Sequence, residues 1–466
     1  MQTTTTTSIH KVRRDALGGK RGDGHLHLGE KVRRPDPTRI RVGGSDPSLT
    51  GCGGLASFGT FLREQGVDRE LARRFTRLKS GPLVVYPMPA QLRLLIDAAA
   101  VGENRVFGLE SWAADALFVR LAGGVVPSLD TVYRDLARFD EAAIADLEHL
   151  MAEQGLTDLR CRRNTRLHLD IDSTVEPLFG TQEGALPGPN PRYHGRPSYH
   201  PLLAAVAETG TVIGAELRPG DTGFGDDQAD FVGRCVDGLR ARHRSAILCV
   251  RIDAAGDCAT LMKTITTRDA YFFIKGKMDR ALCDRITLHP RWQTVDVDAH
   301  GHAVTQVAEI DFTRESWTEA GLSVRVIARR TREHTSGRQT ALWDGLDWTT
   351  QVFLTNDPSI DPAEVPFEYN GRAGIEPLIA ELKQAWALGK VPSETFVANH
   401  AMFLLKLLSH NLLRRFVLQT RLPHLQTWRA SWVRRVLICI PGRLLRSGRC
   451  WSLRLPPASP LLRLTG

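Results

Sequence analysis

The spacing of apolar positions changes period along the chain. Over 48–157 it is helical, with apolar residues recurring every three or four positions in 54–65, 68–78, 88–100, 111–122 and 128–150. Ser128-Leu129-Asp130-Thr131 reads as a helix start leading into Val132-Tyr133-Arg134-Asp135. At Arg166 the period falls to two, and Leu167-His168-Leu169-Asp170-Ile171-Asp172 alternates as a strand does. Strands follow at 202–207 and 212–217, joined by a Thr209-Gly210 turn. A helix is expected at 228–242, a buried-type strand at 246–252, a helix at 258–266 and a strand at 271–274. Residues 285–355 are then strand-rich, at 295–297, 305–312, 322–329 and 351–354, before helices resume at 374–388 and 393–416.

Three strands, a helix, a strand, a helix and a strand is the order of a ribonuclease-H-like core. The expected fold is therefore α/β: such a core interrupted by a β-rich insertion, with a helical N-terminal domain and a basic C-terminal arm. The boundaries are a disordered basic tail over 1–47, a helical domain over 48–157 for DNA-end binding or dimerisation, and core at 158–284. The insertion occupies 285–355, the second core part 356–420 and the arm 421–466. With 466 residues, two or three domains are the prior.

Charge sharpens this picture. The net charge is +9, yet no Asp or Glu follows Glu394, while twelve Lys and Arg do. Residues 1–394 thus carry −3 (+9 less 12). A basic flank on a near-neutral body points to a polyanion, and nucleic acid is the commonest one; a basic, poorly ordered tail is the plainer alternative. The eight cysteines form no CxxC pair, which argues against zinc, and their spread suits reduced thiols in a cytosolic protein. No apolar run is long enough for a membrane span, and no GxxxxGK[ST] loop implies ATP.

Two carboxylates end strands: Asp172, followed by Ser173-Thr174, and Asp253, followed by Ala254-Ala255-Gly256. Acids at the ends of neighbouring strands can converge on one point, as hard divalent cations require. Each alone is as readily a turn former or a helix cap. The stretch from Tyr369 to Lys383 is more specific. On a helix Arg372 and Glu376 are i,i+4 neighbours, and Lys383 lies two turns beyond Glu376 on the same face. Pro377 is tolerated if the helix starts near Gly374.

Tyr369, Arg372, Glu376 and Lys383 fit the Y-(2)-R-(3)-E-(6)-K pattern. Together with Leu169–Thr174, Tyr199-His200-Pro201-Leu202-Leu203 and Arg251-Ile252-Asp253, they make the chain resemble the DDE transposases of bacterial insertion sequences, in particular the family numbered thirteen-eighty. The resemblance covers roughly 48–455. It implies a catalytic triad of Asp172, Asp253 and Glu376 that binds two Mg2+ ions, with Mn2+ as a substitute. Asp170 is the alternative to Asp172, since residues two apart on a strand point the same way. It also implies that Tyr369, Arg372 and Lys383 contact DNA phosphates. The implied reaction is metal-dependent cleavage and strand transfer at terminal inverted repeats. The implied partners are double-stranded DNA and a second copy of the chain in a synaptic dimer, in a cytoplasmic, nucleoid-associated setting. An inert DNA-binding descendant, or a nuclease that cuts without joining, would share the same residues. Related transposases stack a flipped base on an aromatic of the insertion; of Trp292, Trp317, Trp343 and Trp348, Trp317 is the first choice, with core packing the commoner fate of each.

Overall fold

The computed structural model describes residues 43, 45–159, 163–190, 194–332, 348–420, 422–457 and 459–463. The expected basic tail over 1–47 lies almost wholly outside the described residues, as does Trp343. The chain divides into two compact units, one drawn from 1–76, 80–132 and 416–466, the other from 77–79 and 133–415.

The second unit is a mixed α/β structure built on a nine-stranded sheet. Its strand β1 (Arg166–Ser173), third from one edge of the sheet, follows the predicted alternation. Leu167, Leu169 and Ile171 point into the main core, and the polar side chains between them point to the other face. Next come β2 (Leu202–Val206), β3 (Thr211–Glu216), β4 (Ile247–Ile252) and β5 (Ala270–Lys275). Helix α1 (Ala229–Arg242) links β3 to β4, and α2 (Ala259–Thr266) links β4 to β5. Across the sheet the order is β3-β2-β1-β4-β5, with β1, β4 and β5 parallel and β2 antiparallel to both of its neighbours. Helices on parallel crossovers bury one face of these strands, so β4 reads as a continuous apolar run interrupted only by Arg251.

The strand-rich segment does not stand apart from this core. Strands β6 (Gln293–Val297), β7 (Ala303–Ile310), β8 (Arg325–Arg332) and β9 (Trp348–Thr355) form an antiparallel meander, and β9 pairs with β5 through Phe353–Thr355. The core alternation carries on across the added strands. Ala308, Val326, Ala328, Val352 and Leu354 join the main core, and Val307, Ile327 and Phe353 join a second cluster on the opposite face.

The far edge, β3, is covered by the helix Glu141–Leu156. Gly155 makes the close approach possible, because a Cβ there would stand 2.6 Å from the Val212 carbonyl oxygen. Asn411 then supplies the partner that the edge strand lacks. It accepts from Val212 N at 2.9 Å and donates to Val212 O at 2.7 Å and Met151 O at 3.0 Å, all fully buried.

In the first unit, Leu55–Glu64, Val67–Phe75 and Met88–Val101 are helices close to the expected ranges, while 111–122 breaks into Leu109–Trp112 and Ala116–Leu121. The C-terminal segment, expected as a separate arm, folds with these helices. Its alternation of Arg with apolar residues is that of a hairpin, Gly442–Ser447 paired with Cys450–Arg454 and edged by Leu49–Thr50. Gly53 and Gly54 donate to the carbonyls of Ile440 and Ile438. Gly54 has no room for a side chain, since a Cβ would fall 1.7 Å from Leu437 O.

Asn411→Ala removes three buried hydrogen bonds to backbone, from Val212 N and to the Val212 and Met151 carbonyls. It is expected to lower stability by about 1–3 kcal/mol in urea denaturation, and an unchanged midpoint would refute this account of the β3 edge.

Candidate active site

β1 and β4 are parallel neighbours with Ile171 opposite Ile252, so Asp172 and Asp253 leave the sheet side by side at the same end. Asp253 caps a short 3-10 turn, accepting from Ala255 N at 2.9 Å. Asp172 is half-buried and accepts from Ser173 N at 3.0 Å. Burial pushes its carboxyl above the usual range, the Arg372 guanidinium opposes this, and the Asp253 charge pushes it up further.

The Tyr369–Lys383 stretch forms α3 (Val365–Asn370), a 3-10 turn over Gly371–Gly374, and α4 (Ile375–Ala385). Pro377 falls in the first turn of α4, where its missing N–H costs nothing. Arg372 reaches both sides of the site, with Nη1 3.1 Å from Asp172 Oδ2 and Nη2 3.9 Å from Glu376 Oε1. Glu376 is 67% exposed. Tyr369 packs its ring on Phe353, at 5.1 Å between centroids, and the Arg372 guanidinium carbon lies 6.0 Å from the centroid of that ring. The structure therefore brings Asp172, Asp253, Arg372, Glu376 and Tyr369 together.

Lys383 turns elsewhere. Its Nζ lies 3.0 Å from Glu176 Oε1 and donates to Val175 O at 3.0 Å.

Asp170 also has another occupation. It is 2% exposed and takes a bidentate pair from Arg251, at 2.5 Å from Nε and 2.9 Å from Nη2. Arg251 Nη1 also donates to the Glu368 carbonyl at 3.1 Å. The backbone of α3 passes close by, and at Gly371 a Cβ would come within 2.1 Å of that same nitrogen. The polar side of β1 is thus a ladder beneath α3. Arg166 pairs with Asp357 at 2.7 Å, His168 lies between Glu208 and Glu368 at 2.8 Å each, Asp170 holds Arg251, and Asp172 meets Arg372. Of the partners in this ladder, the sequence reading singled out only Arg251 and Arg372.

His168, Cys249 and Glu368 have ligand atoms within 4.8 Å of one another. Arg166 Nη1 stands 3.5 Å from the Cys249 sulfur and 3.6 Å from Glu368, so a guanidinium already supplies the cation there. Burial works against protonation of His168, but the neighbouring Cys249 sulfur and the hydrogen bonds to Glu208 and Glu368 outweigh it, and its pKa is pushed up to about 11.

Trp317, the first-choice stacking aromatic, is a correction. It is 1% exposed within the main core, edge-on to Phe312 at 6.2 Å and beneath Arg314 at 4.8 Å, and presents no face to a ligand. Trp292 and Trp348 instead flank Arg330, 4.1 and 4.7 Å from its guanidinium carbon, and Arg332 lies 4.8 Å from Trp348. Register aligns them, since Arg332 is opposite Trp348 across β8 and β9.

Residues 34–465 match the family model described as transposase DDE domain group 1. The chain belongs to that transposase family. No curated protein matches it. Among solved structures, the cryo-EM structure of a piggyBac transposase synaptic complex with hairpin DNA is similar over 82% of this chain and 81% of that one, at 12% identity and a TM-score of 0.38. Among the described residues of this transposase, no helix is long and apolar enough to cross a membrane.

Removing one partner of the Asp170–Arg251 pair strands a buried charge. Asp170→Ala is expected to cost about 3–5 kcal/mol in chemical denaturation, and a loss below about 1 kcal/mol would refute the pairing.

His168 gives a pH signature. Its folded value lies above the ordinary 6.5, so its stabilisation is complete below about pH 6.5 and is lost as pH rises through about 11. Between pH 7 and 9.5, stability should fall through this group by up to about 1.4 kcal/mol per unit. His168→Gln should remove that slope, and parallel urea profiles for the two proteins would disprove it.

Proposed function

We propose that this transposase cleaves the DNA ends of its own mobile element and joins them to target DNA, with Asp172, Asp253 and Glu376 as the acidic triad. The observation that carries this is the convergence of two strand-end carboxylates with Arg372, in the 3-10 turn, and Glu376, in the first turn of α4.

The donor set suits hard divalent cations such as Mg2+ or Mn2+. All three groups are carboxylates, and burial together with the Asp253 charge raises Asp172 in a way that a bound cation would relieve. Bound there, such ions supply Lewis-acid activation of the phosphodiester and a nucleophile at neutral pH.

The chain's own residues do the rest. Asp172 and Asp253 are fixed by the sheet, so their separation is set before DNA arrives. Glu376 comes from a helix whose first turn is anchored through Arg372. Arg372, held by Asp172 and lying beside the Tyr369 ring, is the cation placed to meet a phosphate oxygen beside the triad. In cleavage, water attacks phosphorus and the P–O3′ bond breaks, giving a 3′-hydroxyl and a 5′-phosphate. In joining, that 3′-hydroxyl attacks a target phosphodiester, one P–O bond replaces another, and the displaced 3′-oxygen takes up a proton.

Asp172 is preferred to Asp170 as the acid because Asp170 is consumed by Arg251. The resemblance to insertion-sequence transposases supports double-stranded terminal repeats as substrate and a pair of chains as the working assembly.

On duplexes that carry the element's ends, with Mg2+ or Mn2+, Asp172→Ala, Asp253→Ala and Glu376→Ala are each expected to slow strand cleavage by about a hundredfold or more. Cleavage at the wild-type rate by any of the three would remove that residue from the triad. Cleavage with no joined product would favour a nuclease.

A further inference from the structure

Lys383 and Glu176 form a half-buried tie that no reading of the motif requires. Glu176 lies four residues beyond Asp172, in a two-residue strand where it pairs with Tyr199. Its side chain is 10% exposed, and that of Lys383 is 32% exposed. The ammonium touches Glu176 Oε1 and the Val175 carbonyl at 3.0 Å each, so it grips both the side chain and the backbone of the segment leaving β1.

The bend after α4 is shaped around the same carboxylate. A Cβ at Gly389 would meet Glu176 Oε2 at 1.8 Å, so a side chain there would have to displace that carboxylate. Ala387 takes a left-handed φ of 47°. The fully buried Lys406, on the helix Phe396–Gln419, donates to the carbonyls of Ala387 and Lys390 at 2.6 and 2.7 Å, which holds that bend in place. Burial raises the Glu176 carboxyl, and the charge of Lys383 leads the opposing effects, followed by Lys406 and Lys390.

We propose that Glu176 and Lys383 are positioning residues that tie the segment after Asp172 to the helix bearing Glu376, and that Lys383 stays on protein instead of on DNA phosphate. The proposal rests on Asp172 and Glu376 being metal ligands. Seven residues of α4 separate Lys383 from Glu376, a rise of about 10 Å along a rigid rod. Anchoring one end of that rod to residues 175 and 176 fixes how Glu376 stands relative to Asp172. Moving the ammonium to a phosphate would leave the Glu176 carboxylate buried without its closest counter-charge, a heavier loss than a solvent-exposed ion pair regains.

The test uses the full chain with Lys383→Met, Glu176→Gln and both changes together. Three quantities are read: Mn2+ affinity from the electron paramagnetic resonance of free Mn2+, stability in urea, and the salt dependence of binding to a 30-base-pair duplex. Each single variant is expected to bind Mn2+ about tenfold more weakly or worse. The double variant should be no weaker than the worse single, and Lys383→Met should keep the wild-type salt slope. The proposal is overturned if Lys383→Met lowers that slope by about one while Mn2+ affinity stays at wild type in both singles.

Should Glu176→Gln fail to fold, Glu176→Asp takes its place; a partial loss of Mn2+ affinity supports the tie and an unchanged one refutes it. If the wild-type chain binds no Mn2+, the triad reading fails by itself. The stabilities still decide the tie, because non-additive losses in the two singles uphold it and additive losses overturn it.

Discussion

The architecture depends on one strand being asked to face two ways. In β1, every odd position from Leu167 to Ile171 is apolar and closes the main core, while Arg166, His168, Asp170 and Asp172 occupy the positions between. An interior strand cannot present four polar groups to a buried surface unless each is matched. The matches come from Asp357, Glu208, Glu368, Arg251 and Arg372. Because α3 supplies Glu368 through both its carboxylate and its carbonyl, satisfying the strand also fixes the helix. The entry to the Tyr369–Lys383 stretch is thus positioned from below, by charges that never need to touch a substrate.

The two acids of β1 differ in exposure. Asp170 is sealed while Asp172 is reachable, though both lie on the same face of the strand. The difference lies in the neighbour. Arg251 on β4 stands opposite Asp170, whereas β4 has ended by the level of Asp172, and Asp253 has turned into a 3-10 cap. The candidate site lies where β4 ends, and there the counter-charge for Asp172 comes from Arg372 in the 3-10 turn instead of from a neighbouring strand.

Local features of this arrangement were legible in the sequence. The alternation in β1, the apolar run of β4, and the placing of Pro377 in the first turn of α4 all follow from period and backbone chemistry, and so do the positions of Asp172, Asp253, Arg372 and Glu376. Pairings across distance were not. Asp170 and Arg251 are 81 positions apart, and His168 and Glu368 are 200 apart, so no window along the chain contains both halves. The strand-rich segment looked inserted because it interrupts the helix–strand order, yet its alternation simply extends the core sheet past β5. Trp317 failed as a ligand candidate for a similar reason. Its surroundings are set by Phe312 and by Arg314, which Asp257 holds at 2.7 Å from 57 positions away.

The first unit is sewn from both ends of the chain. Arg443 pairs with Asp46 across 397 positions, and Leu49–Thr50 forms the edge of the C-terminal hairpin. At a ribosomal pace of about 5–20 residues per second, the amino-terminal segment waits roughly 20–80 s for those partners. The sheet unit, with Arg415 as its last residue, is finished first. During that interval the glycine step at 53–54 and the apolar faces of the early helices have no complete core to join. Synthesis therefore releases every residue of the sheet unit while the first unit still lacks its hairpin, and the first unit cannot close before the hairpin residues are made.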